Sequence, residues 1–141
     1  MGERKLKVVF ETNVLISDLG WSGPPEECLE LSIKGDIINF ISKPILEELL
    51  KVMDYPKFKF TKEEKEQFIE LLLSNSIMIE VNQDIEIIEE DPEDNKFIQC
   101  ALEADADFLI SGDSHILDME KFERVNFVSP KKFIEIIRIE S

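Results

Sequence analysis

The chain alternates short apolar runs with longer stretches of helical periodicity. Lys7 to Phe10 is a brief apolar strand, and Asn13 to Leu19 reads as a short helix closed by Gly20-Trp21-Ser22-Gly23. Pro24 and Pro25 open a second helix with Cys28, Leu29 and Ile33 at its apolar positions, since a first helical turn has no use for the N–H that proline lacks. Gly35-Asp36 ends it, and Ile37 to Ile41 is the second strand. Ser42 is placed to cap the next helix, with Pro44 in its first turn and Ile45, Leu46, Leu49, Leu50 and Met53 facing inward. Tyr55-Pro56 breaks that helix, and Thr61 followed by Glu64 has the spacing of a capping box that opens another through Phe68, Leu71 and Leu72. Ile77 to Val81 is a third strand. Asp91-Pro92 starts a helix reaching about Glu103, and Phe108 to Ser111 is the strand after it. A short helix after Asp113, a strand from Val125 to Val128 and a last helix from Pro130 complete the order.

Strands alternating with helices predict an α/β fold: a three-layer α/β/α sandwich around a central, mostly parallel sheet. With 141 residues, no linker and no repeat, residues 1–141 are expected to form one domain. The 43% hydrophobic content is ordinary for a globular chain. The charge is not: 31 acidic residues against 16 Lys plus Arg leave a formal −15. Sequence-independent DNA binding rests on phosphate contacts, so this balance argues against it, while RNA with a screening metal and a basic protein partner both stay open. Cys28 and Cys100 form no CxxC pair and read as reduced, buried core residues of an intracellular chain. No apolar run is long enough to span a membrane and Met1-Gly2-Glu3-Arg4 does not read as a signal peptide, so a cytoplasmic location is expected.

The chemistry lies in where the acids fall. Glu11 follows the first strand directly, and Asp113 follows the Phe108 strand across Gly112. In an open α/β sheet, ligands bind outside the carboxyl ends of the strands. Carboxylates gathered there repel one another unless a cation lies between them. Two further acids extend the set. Glu47 and Glu48 flank the apolar stripe of their helix on different sides, and periodicity does not choose between them. Asp91 reads as the N-cap of its helix, with Asp94 its third helical residue. Taken singly, each acid has an ordinary explanation as a solvated group or a first-turn helix acid.

Four blocks in order change that picture. Val8-Val-Phe-Glu-Thr-Asn-Val-Leu-Ile-Ser17 resembles the opening strand of PIN-domain ribonucleases, where an apolar strand runs into Asp-Thr-Asn. Ser42-Lys-Pro-Ile-Leu-Glu-Glu-Leu49 resembles the family's second block, Asp91-Pro-Glu-Asp-Asn-Lys-Phe97 its third and Ser111-Gly-Asp113 its fourth. The likeness runs from Lys7 to about Ile136 and is nearest to the VapC-like toxin subunits of prokaryotic toxin–antitoxin pairs. It implies that Glu11, Glu48, Asp94 and Asp113 form a catalytic pocket for Mg²⁺ or Mn²⁺, Glu48 matching the Glu-Leu step of the second block. Thr12, Asn13 and Ser111 would orient those acids. Hard oxygen donors suit these ions, and the two distant cysteines and lone His115 offer no zinc set. The implied reaction is endonucleolytic hydrolysis of single-stranded RNA, by a homodimer silenced by an antitoxin protein.

One departure stands out. The family's first acid is Asp, and Glu11 extends the carboxylate by about 1.5 Å. A catalytically weak PIN-like module that binds RNA or protein is therefore the second reading. A receiver-like phosphoacceptor domain, with Lys131 or Lys132 after the last strand, is a distant third because it gives the Asp91–Lys96 block no role. Outside the acids, Lys57, Lys59, Lys62 and Lys65 interleave with Phe58 and Phe60, a pattern suited to guiding RNA phosphates, although a solvated helix start explains it as well. His115 is a candidate substrate contact, and Trp21 either a partner contact or a seal for its helix end.

Overall fold

A computed structural model describes residues 5–17, 24–82 and 95–140. The elements are β1 (Leu6–Phe10), α1 (Thr12–Ser17), α2 (Pro24–Ile33), β2 (Ile37–Ile41), α3 (Lys43–Met53), a 3₁₀ turn at Pro56–Phe58, α4 (Lys62–Ser74), β3 (Ser76–Met78), α5 (Asn95–Glu103), β4 (Phe108–Ile110), α6 (Ser114–Asp118), β5 (Lys121–Phe122), β6 (Val125–Val128) and α7 (Pro130–Glu140). They build one six-stranded sheet in the order β3-β2-β1-β4-β6-β5, parallel except for β5 against β6.

The central strands are apolar because both of their faces are covered. Val8, Val9 and Phe10 are all buried, as a strand sandwiched between two helical layers requires. The crossover from β1 to β2 steps one way along the sheet and that from β3 to β4 steps the other. Right-handed crossovers then set α2 and α5 on opposite faces. On one side α2 packs on α7, and on the other α5 packs on β1, β2 and β4. Phe108 of β4 and Phe133 of α7 meet edge to face with ring centroids 5.5 Å apart.

The sandwich and the mostly parallel sheet are those expected from the alternation of elements. Several local expectations need correction. The first helix starts one residue earlier than expected, at Thr12, and its described part ends at Ser17; the Gly20-Trp21-Ser22-Gly23 loop lies outside the described residues. Ser42 holds the N-cap position of α3 in an extended conformation, but its side chain makes no capping hydrogen bond and is buried instead. Ile45, Leu49 and Met53 are the buried stripe of α3, while Leu46 and Leu50 reach the core only in part. The third strand is shorter than expected and shifted toward its start, because pairing with Asn39–Ile41 ends at Met78. Strand β5 has no counterpart in the apolar pattern. By contrast, the capping box at Thr61 and Glu64 forms in full: the Thr61 hydroxyl accepts from the Glu64 N–H at 3.0 Å and Glu64 Oε1 accepts from the Thr61 N–H at 2.9 Å.

Candidate active site

Strand order decides what the acids can do together. β1 lies at the centre, and the chain leaves it for β2 on one side while β4 closes in on the other, so the end of β1 is a topological switch point. Register sets Phe10 opposite Ile110, and the ladder runs one step further through the Glu11 N–H, which donates to the Ile110 carbonyl at 2.9 Å. Glu11 is thereby fixed to the end of β4, and Ser111 and Asp113 follow in the adjoining loop. The two acids read from the sequence as sharing one sheet edge do share it.

Glu11 is the N-cap of α1, its carbonyl accepting from the Val14 N–H at 3.0 Å. Only 5% of it is exposed. Its Oε2 accepts the Asn13 backbone N–H at 2.6 Å, and its Oε1 faces the Ser111 hydroxyl at 3.4 Å. Ser111 Oγ in turn accepts the Asp113 N–H at 2.9 Å, and Asp113 Oδ1 caps α6 by accepting the His115 N–H at 2.7 Å. Burial pushes the Glu11 carboxyl above its ordinary value; the charges of Glu48 and Asp113 push the same way, while Asn13 and Ser111 oppose them.

Glu48 reaches this edge from α3. Buried Thr12, next in chain to Glu11, donates its hydroxyl to Glu48 Oε2 at 2.5 Å. Glu47 points to solvent, so of the two neighbours it is Glu48 that the helix turns toward the sheet edge. The other carboxylate oxygen, Oε1, takes the ammonium of Lys96 from α5 at 2.8 Å, and both side chains are 21% exposed. Lys96 sits inside the third block, where residue type and spacing give it no role, and its partner is 48 residues away in the chain. The one available signal was that it is the only basic residue in the Asp91–Phe97 block.

Asp94 and the helix start expected at Asp91 lie outside the described residues, and α5 is described from Asn95. Among the described residues, no three His, Cys, Asp or Glu side chains close on a single point as a ready metal site. The donor chemistry nevertheless fits a hard divalent ion. The acids at this edge offer carboxylate oxygen alone, and Glu11 is an anion disfavoured by burial and by two like charges, a state that a cation reverses.

The remaining candidates stand apart. His115 is exposed and tied to Asp113 through its backbone, not its imidazole. Exposed Lys57 lies 5.0 Å above the Phe58 ring, which stacks on Phe60 at 5.6 Å, and exposed Lys59 closes the 3₁₀ turn with φ 52°. No hydrogen bond or ion pair among the described residues joins this stretch to Glu11, Glu48 or Asp113. Cys28 and Cys100 are free and buried, and burial raises both thiols to about 12.

Comparison with known proteins gives this arrangement a family. The PIN-domain family profile matches residues 7–115, and the chain belongs to the PIN-domain family, whose members are generally nucleases that use divalent metal ions. Among solved structures, the fold is similar to that of VapBC2 from Rickettsia felis bound to a DNA fragment from their promoter, at 16% identity and a TM-score of 0.60, covering 86% of this chain and 97% of that one. No curated protein matches the chain. No helix among the described residues is long and apolar enough to cross a membrane.

Proposed function

We propose that this chain, as one PIN-like domain, is a metal-dependent endoribonuclease that cleaves single-stranded RNA in the cytoplasm. The observation that carries the proposal is the meeting of Glu11 and Asp113 at the adjoining ends of β1 and β4, with Glu48 turned toward them by Thr12. Glu11, Glu48, Asp113 and Asp94 would hold Mg²⁺ or Mn²⁺. A divalent ion there supplies activation of water and stabilisation of charge on the phosphate. The chain's own groups supply aim: the Asn13 N–H and the Ser111 hydroxyl fix both oxygens of Glu11, and Thr12 fixes one oxygen of Glu48. Lys57, Lys59 and His115 are exposed and suited at most to guiding the strand in.

The family and the likeness to VapBC2 support a toxin-type domain, a homodimer paired with an antitoxin protein. The charge supports the same division of labour. At a formal −15 this chain is a poor ligand for duplex DNA, so in such a pair the promoter contacts would belong to the partner.

A second reading, a catalytically weak module for binding RNA or protein, is favoured by one specific pair of facts: the first acid is the longer Glu11, and Glu48 already carries a lysine. Incubation with a labelled single-stranded RNA, with and without Mn²⁺ and beside an Asp94→Asn control, separates the two. Cleavage that needs both metal and Asp94 is the expected result. RNA retained but uncut by the wild type, with Mn²⁺ bound, would establish the binding module instead.

A further inference from the structure

Lys96 is the cation that the proposed chemistry leaves unused. Its position is set by the core. Phe97, Ile98, Cys100 and Ala101 are buried against the sheet and fix the rotation of α5, which leaves Lys96 on the flank facing α3. There its ammonium sits 2.8 Å from Glu48 Oε1 and 6.0 Å from the centre of the Phe97 ring. With Thr12 on Oε2, both oxygens of Glu48 are already taken by donors from the protein itself. Glu11, by comparison, is held by an N–H and a hydroxyl, both neutral. Each carboxylate oxygen keeps a second lone pair, so a divalent ion can bind Glu48 beside a neutral donor, as it would bind Glu11. The Thr12 hydroxyl is uncharged and can stay; an ammonium beside an incoming cation is repelled.

We propose that Lys96 is a resident counter-ion that steadies Glu48 in the metal-free protein and leaves it when a divalent ion binds. The inference rests on the metal pocket of the preceding reading. It makes Lys96 a positioning residue acting through Glu48, and it makes metal binding an exchange of one cation for another. The exchange has a definite sign. Removing the lysine weakens the metal-free fold and strengthens metal binding, whereas a residue that merely supported the fold would not tighten metal binding when lost.

The test uses the full chain as wild type, Lys96→Gln and Lys96→Arg. Mn²⁺ affinity is read from the resonance of the free ion, and thermal melting is followed in chelator and in saturating Mn²⁺. Lys96→Gln is expected to melt below the wild type in chelator, to recover most of the difference in Mn²⁺, and to bind Mn²⁺ about tenfold more tightly, about 1.4 kcal/mol. Lys96→Arg keeps the charge and stays near the wild type in both. A second measurement does not depend on any variant folding in chelator: in the wild type, titration with diamagnetic Mg²⁺ should move the NMR signal of the Lys96 ε-methylene from its ion-paired position. Unchanged or weaker Mn²⁺ affinity in Lys96→Gln, or a Lys96 signal that Mg²⁺ leaves in place while the ion binds, overturns the exchange and leaves the metal pocket standing. Absence of Mn²⁺ binding by the wild type and Lys96→Gln alike overturns the metal pocket itself, and the exchange with it.

Discussion

The strand wall and the helical wall of the carboxylate edge meet the same electrostatic problem in different ways. At the ends of β1 and β4, Glu11 is buried and satisfied by neutral donors, the Asn13 N–H and the Ser111 hydroxyl. Those bonds offset burial only in part, and the carboxyl stays above its ordinary value. On the α3–α5 side, Glu48 is more exposed, and a hydroxyl and an ammonium share its two oxygens. Neutral donors orient a carboxylate without discharging it, whereas a lysine does both. The strand wall is therefore the one that gains from an added cation, and the helical wall is the one that must rearrange to admit it.

The sharpest way to break the comparison is to shorten the acid of the strand wall. A 1 Å displacement near reacting groups can cost on the order of 100-fold in rate. Glu11→Asp is expected to raise metal-dependent RNA cleavage by up to about that factor. Aspartate at an N-cap accepts the same N–H two residues on, so the cap survives the change. Equal initial rates for the two proteins at saturating Mn²⁺ would mean that the extra methylene is absorbed locally and that Glu11 is no handicap.

A smaller effect is expected on the helical wall. Thr12→Val keeps the shape of a buried side chain and removes the donor to Glu48 Oε2. A hydrogen bond to a charged group contributes about 1.5–3 kcal/mol. Glu48 retains Lys96 and some solvent, so the loss should fall toward the lower end. Denaturant unfolding of the metal-free protein measures it. A midpoint unchanged from wild type would show that Lys96 alone holds Glu48, and the helical wall would then rest on one contact rather than two.

How far this edge was legible in the chain depends on whether each feature is local. Strands β1, β2, β4 and β6 announce themselves as short, mostly apolar runs, broken only by Lys7, Asn39 and Asn126. Glu11 and Asp113 were readable for the same reason: each follows such a strand, and strand direction carries both to one edge. Strand β5 was not readable, since two residues hold no periodicity and only pairing with β6 across Glu123-Arg124 makes them a strand. Periodicity left Glu47 and Glu48 open and only the family resemblance pointed to Glu48; its contact with Thr12 spans 36 residues, and the role of Lys96 needed Glu48 at a separation of 48. Ser42 misled in the opposite sense. Its type and position suit a cap, but burial took its hydroxyl into the interior. Side-chain pairing across elements was the layer that residue type and spacing did not carry.

The smallest effect is the one that reports on the strand wall directly. In the metal-free protein the folded-state pKa of Glu11 is raised above 4.5, so between 4.5 and that raised value the folded chain binds more protons than the unfolded one. Stability then falls as pH rises through this window, and the whole cost is present above it. Glu11→Gln cannot ionise, and its amide oxygen still accepts the Asn13 N–H. In chelator the variant should match the wild type near pH 4.5, then melt progressively above it as pH rises, with the gap constant once Glu11 is fully ionised. The gap stays small because Asn13 and Ser111 already oppose burial. Adding Mn²⁺ above the window should reverse the order, because only the wild type presents an anion there. Melting curves that run parallel in pH for both proteins would mean that the neutral donors of the strand wall suffice, and that Glu11 holds its charge as readily in the folded chain as in water.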